Sequence, residues 1–166
     1  MSKAFTREDD DDDPSVLPAL VSPLPPGAKN FMTAEGAERL RAEVARLTAD
    51  RPKLAAAATN ADAKRDLAVL DQRLHYLRQS LTTAEIVAPS GPGATQVQFG
   101  CTVTVRDGRG AESAYRIVGV DEADYERNEV SWLSPIAKAL MNAKVGQKVP
   151  FKFPKGATEL EIVKIG

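Results

Sequence analysis

Two aspartates four residues apart, Asp62 and Asp66, stand in a polar stretch with Asn60, Lys64 and Arg65. On a helix that spacing sets both carboxylates on one side, where together they offer hard oxygen ligands to a divalent cation. A structural reading competes with this one. Asp62 would fall in the first turn of a helix, where the dipole favours an acid, and Lys64 and Arg65 dilute the negative field. A nucleophilic centre is harder to assemble, because Cys101 is the single cysteine, His75 is the single histidine, and they fall in different segments. One cysteine also excludes an internal disulfide framework and a thiolate zinc cluster. Cys101 reads as the interior of a strand, and His75 as the surface or seam edge of a helix.

What would position the two aspartates is a pair of apolar seams. Ala63, Leu67, Leu70, Leu74, Leu77, Leu81 and Ala84 recur at steps of four and three, the spacing of a helix that presses one face on a partner. Leu40, Val44, Leu47, Leu54 and Ala58 form a rougher seam upstream, and only Thr59-Asn60 separates the runs. The expectation is an antiparallel helical hairpin with a blunt, alanine-rich tip. Thr33 is the expected N-cap of the first arm, with Glu35 and Glu38 where the dipole favours acids, and the arm would run to about Ala58. Pro52 inside it predicts a local bend or a division into two segments. The second arm is expected from about Ala61 to Ala84, capped by Thr59 or Asn60. At about 1.5 Å per residue, each arm would be roughly 35 to 40 Å long.

The flanks differ in kind. Residues 1–30 hold Glu8, the run Asp9 to Asp13, and Pro14, Pro18, Pro23, Pro25 and Pro26, which predicts a disordered acidic tail and an extended linker. Residues 31–88 are the hairpin, and Pro89 to Gly93 opens a second linker, 89–95. From 96 to 166 the period changes to alternation, as in Cys101, Val103 and Val105, with turn residues at Asp107-Gly108 and Gly110. Tyr115 to Val120, Glu129 to Leu133, Val149 to Phe153 and Leu160 to Ile165 read as further strands, and Ser134-Pro135 opens a short helix to Asn142. The fold class is α+β: a coiled-coil hairpin, then a small antiparallel sheet packed on one helix. With 22 basic and 23 acidic residues, a strongly basic nucleic-acid face is not expected. No apolar run is long enough to span a bilayer, so a cytoplasmic protein with no membrane partner is expected.

Four segments occur in order: Phe31-Met32-Thr33-Ala34-Glu35-Gly36, Phe99-Gly100, Tyr115-Arg116-Ile117-Val118-Gly119, and Ser134-Pro135-Ile136-Ala137-Lys138-Ala139-Leu140. Over about residues 30–166 they resemble the bacterial Gre factors, GreA and GreB. The resemblance implies a hairpin that enters the secondary channel of RNA polymerase and a C-terminal domain, similar in fold to FKBP, that holds the channel rim. It implies RNA polymerase as partner of a monomer, with nascent RNA met only indirectly. Candidate polymerase contacts are Asp121, Glu122, Trp132, Ser134, Pro135, Ile136 and Ala137. The acids of the loop would meet a basic surface or be solvated, and Trp132 would be core or an interface anchor. Leu133 stands where the family tends to have Asn or Asp.

In that family, acids at the hairpin tip hold magnesium near the scissile phosphate and so help the polymerase cleave backtracked RNA. Their pattern, similar to Gly-Asp-x-x-Glu-Asn-Ala-Asp/Glu-Tyr, is absent here. Between Arg51-Pro52 and Ile86-Val87 the family pattern runs about a dozen residues longer, which implies arms shorter by about six residues, or roughly 9 Å. The expectation is therefore a polymerase-binding regulator rather than an enzyme, with weak or no transcript-cleavage activity. It would hold no cofactor or metal of its own, the only magnesium being that of the polymerase. Two alternatives stay open: an active GreB-like factor in which Asp62 and Asp66 supply the ligands, and an adaptor that binds some other protein.

Overall fold

The computed structural model describes residues 17–91 and 93–166, so the acidic run Glu8 to Asp13 lies outside the described residues. Thr33, in extended backbone, accepts the Gly36 N–H at 2.9 Å and opens helix α1 (Ala34–Ala57). Asn60 serves α2 (Ala61–Thr83) in the same way, accepting the Ala63 N–H at 2.8 Å. The two helices lie against each other as the seams require. Leu40, Leu74 and Leu77 are buried, whereas Leu47, Leu54, Leu67 and Leu70 are only partly so. Ion pairs across the arms join Arg51 to Asp71 at 2.6 Å and Arg73 to Glu43 at 3.0 Å.

Pro52 does not divide α1, which continues through it as one helix. Pro52 and Thr48 are both exposed. The carbonyl of Thr48, left without its usual donor four residues on, therefore belongs to a residue open to solvent. The foot of the hairpin holds a pairing that no periodicity announced. Strand β1 (Asn30–Met32) pairs in parallel with β2 (Ala84–Ile86), and buried Asn30 donates from Nδ2 to the Ser80 carbonyl at 3.0 Å. The proline-rich residues 17–29 form neither helix nor strand and run as a strap along α2. Its ends are tied by Gln72 Nε2 donating to the Pro18 carbonyl at 2.5 Å and by the Lys29–Glu85 ion pair at 3.0 Å.

Beyond the second linker, β3 (Thr102–Arg106), β4 (Glu112–Val118), β5 (Glu129–Ser131), β6 (Lys148–Phe153) and β7 (Gly156–Ile165) form one sheet in the order β5-β4-β3-β7-β6. It is antiparallel except at its β4·β5 pair. That pair is parallel because the acidic loop after Gly119 carries the chain back to start β5 beside Arg116. Helix α3 (Pro135–Leu140) sends Ala137 and Leu140 into a core with Val97, Val103, Val105, Ile117 and Ile162. Cys101 is 1% exposed in the same core, where burial pushes its thiol up. No helix among the described residues is long and apolar enough to cross a membrane.

Candidate partner-binding site

The hairpin tip offers little chemistry. Asp62 and Asp66 are exposed on the first turns of α2, and neither has an ion-pair partner among the described residues. Exposed Lys64 and Arg65 lie between them in sequence, and exposed Lys53 lies in the last turns of the other arm. Among the described residues no group of three or more His, Cys, Asp or Glu side chains is placed to hold a metal ion. Both carboxylates belong to one arm, so the tip has no convergent ligand set of its own.

The acids of the loop after β4 have a different use from the one expected of them. Glu122 is 5% exposed, and its carboxylate accepts the Thr33 N–H at 2.9 Å, the Thr33 hydroxyl, and the Gly119 N–H at 2.8 Å. It therefore caps the cap of α1, with its carboxylate turned to internal donors. Asp121 accepts the Tyr76 hydroxyl at 2.5 Å and the Ser80 hydroxyl, both from α2. Burial and this bond push the Tyr76 hydroxyl up to about 12. Around them, Arg116 bonds Glu35 at 2.6 Å, and Arg39 bonds buried Glu129 at 2.9 Å. The Arg116 guanidinium holds the Glu35 carboxyl below the usual carboxylate range. Trp132 is an anchor, but an intramolecular one: its ring lies 5.3 Å from Phe31, which in turn lies 5.8 Å from Phe99. Sequence reading left these acids either against a partner or in solvent, and this tryptophan either core or anchor, because residue type shows nothing of a contact such as that of Glu122 with Thr33, 89 positions away in the chain. It missed Thr33, Gly36, Tyr76, Ser80 and Gly119 as parts of the joint. The one available signal was Gly119 directly after a strand, a sign of close backbone approach.

A groove that no other described residue fills lies beside α3. Ser134 accepts the Ala137 N–H at 3.3 Å and so caps this helix, while Ala137 is 0% exposed, a core residue rather than a contact. Pro135 is exposed and Ile136 half-buried against the core, and with Ser134 they line a groove of about 240 Å³ together with Ala123, Tyr125, Val130 and Phe151. A short 3₁₀ turn, Tyr125–Arg127, is capped by Asp124 and ended by Asn128 in the left-handed region, at φ 54°. Asparagine tolerates that conformation, and the turn leaves Tyr125 95% exposed at the groove. A second cavity of about 180 Å³ shares Ile136 and Phe151 and extends the apolar lining to Tyr115 and Phe153. The larger cleft between strap and α2, about 540 Å³, has its charges, Lys29 and Glu85, already paired with each other.

The family described as "Transcription elongation factor, GreA/GreB, C-term" matches residues 92–166. The chain is 36% identical over 152 residues to transcription elongation factor GreB of Neisseria meningitidis serogroup A, covering 82% of this chain and 93% of that protein. It is 38% identical over 154 residues to transcription elongation factor GreA of Legionella pneumophila strain Lens, covering 83% and 96%. Since 82% of 166 residues is about 136, about 16 of the 152 aligned positions have no residue in this chain. The solved structure of GreA factor homolog 1, Gfh1, of Thermus thermophilus aligns with 22% identity and a TM-score of 0.40, over 84% of this chain and 99% of that one. On the identity and coverage of its GreA and GreB relatives, this chain belongs to the GreA/GreB family of transcription elongation factors.

Proposed function

We propose that the chain binds RNA polymerase at the rim of its secondary channel through the groove beside Pro135 and Ile136, and directs the hairpin into that channel with weak or no stimulation of RNA cleavage. It acts as a cytoplasmic monomer by occupancy, so its effect follows its concentration relative to its dissociation constant. No metal or cofactor is its own, and any magnesium near the tip is the polymerase's. The observation that carries this reading is the tip itself. Asp62 and Asp66 sit on one arm, exposed, with Lys64 and Arg65 beside them. Magnesium demands near-octahedral oxygen geometry, and placing it at a scissile phosphate tolerates errors of only tenths of an ångström. The roughly 16 unmatched positions in the GreB alignment are in keeping with shorter arms. An arm shorter by about six residues ends roughly 9 Å short of the place a full-length arm reaches from the same rim.

The test is RNA polymerase halted and backtracked on a template, with RNA shortening measured beside competition against an authentic cleavage factor. Competition without shortening is the expected result. Shortening that disappears in Asp62→Ala or Asp66→Ala would overturn it in favour of an active GreB-like factor. Failure to bind polymerase would assign the chain to the adaptor class.

A further inference from the structure

We propose that the adjacent pair Asp121 and Glu122 is the positioning element that fixes the direction in which the hairpin leaves the C-terminal domain. Each of the two side chains holds one arm. Glu122 takes Thr33 at the start of α1, and Asp121 takes Tyr76 and Ser80 near the end of α2. A grip on one helix alone leaves rotation about that contact, whereas a grip on both removes it. The fit has no slack on the α1 side: a Cβ on Gly36 would stand 1.8 Å from Glu122 Oε1, and one on Gly119 would stand 2.4 Å from the Phe31 carbonyl.

The same loop also belongs to the partner groove. Ala123, the next residue, lines it, and so does Glu129, which holds Arg39 of α1 at 2.9 Å. A partner seated in the groove is thereby registered to the direction of the hairpin through a few covalently linked residues. The lever is long. The 24 residues of α1 reach about 36 Å at about 1.5 Å per residue, so a tilt of about 10° at the foot moves the tip by about 6 Å. A displacement of that size is enough to lose a contact set by near-atomic placement. The geometric claim stands apart from the identity of the partner, and only its consequence for transcription rests on the polymerase reading.

The experiment is a distance distribution in the full chain, from spin labels on Thr59→Cys at the tip and Lys155→Cys in the turn between β6 and β7. Cys101 is buried and leaves the labelling selective. The parent chain should give one distance peak, its width set by local fraying of the tip. Asp121→Ala with Glu122→Ala should widen or shift that peak by about 6 Å while helix content is kept, and Glu122→Gln, which restores shape and one acceptor, should recover part of the narrowing. Should the double variant not fold, Tyr76→Phe with Ser80→Ala releases Asp121 alone and is read in the same way. An unchanged distribution in a folded variant overturns the proposal. With RNA polymerase, the variant should bind within about threefold of the parent, since neither replaced side chain lines the groove, yet lose about tenfold of its effect on RNA synthesis. Equal losses in binding and effect would overturn the positioning role, whereas a parent chain that never binds polymerase sinks only the functional reading.

Discussion

Replacing Gly36 by alanine should destabilise this protein, although Gly→Ala within a helix ordinarily stabilises by up to about 1 kcal/mol. The reason lies opposite the helix. The new Cβ would meet Glu122 Oε1 at 1.8 Å, Cδ at 2.2 Å and Cγ at 2.5 Å, so the whole carboxyl end must leave its site. Its departure strands the N–H groups of Thr33 and Gly119, now bonded at 2.9 and 2.8 Å, and removes the bond to the Thr33 hydroxyl. Hydrogen bonds to charged groups contribute about 1.5–3 kcal/mol each, and a buried donor left alone costs about 1–3, so after the helix gain a net loss of about 2–4 kcal/mol is expected. Urea unfolding followed by the fluorescence of Trp132, the only tryptophan and itself in the joint against Phe31, measures it. The same reasoning requires that Glu122→Ala alone cost a similar amount, and that the double variant be no worse than Glu122→Ala, because the clash has gone. A Gly36→Ala protein as stable as its parent, or a double variant in which the two losses add, refutes the reasoning.

Leu74→Ala, in the buried part of the seam, should cost about 2–5 kcal/mol in thermal or urea unfolding, and Leu67→Ala, nearer the tip and only partly buried, distinctly less. The Tyr76 hydroxyl is held near 12, above its ordinary 10.0, so the unfolded chain loses this proton first and the stabilisation is complete below about pH 10. Stability should therefore fall between about pH 10 and pH 12, and Tyr76→Phe should remove that part of the fall in an alkaline denaturation series. Tyr125→Ala should weaken polymerase binding about tenfold in an equilibrium titration without shifting the unfolding midpoint, as expected for an aromatic anchor that makes no core contact.

The hairpin was legible because helical periodicity is written locally: both seams, the Thr33 cap and the Asn60 cap are read within a few residues of where they act. The alternation of Cys101, Val103 and Val105 likewise announced β3, and Ser134-Pro135 announced α3. The three-residue strands β1 and β2 carry no period long enough to detect, and only the return of α2 beside Asn30 brings them together. Pro52 signalled a break that the solvent-facing side of α1 absorbs. The candidate site was half legible. Ser134, Pro135 and Ile136 do line a groove, but two of its other lining residues, Tyr125 and Phe151, come from a turn and a strand that the chain order does not associate. Glu122 read as a surface acid because what buries it is the contact between positions 33 and 122, and Asp121, half-buried, because its partners Tyr76 and Ser80 are more than 40 positions away.

The uneven burial along the seam makes the hairpin a rod of graded stiffness. At the foot, the β1·β2 pairing, Leu40, Leu74, Leu77 and Ser80 resist separation of the arms. Toward the other end the seam residues are half open, and Ala55 to Ala58 offer little surface to hold. Local opening follows the scarcity of buried contacts, so fraying begins at the tip and dies out toward the joint. A rod built this way is steered from its base while its end yields to the walls of a narrow passage. Proteases and solvent exchange should find that end first, long before the base gives way.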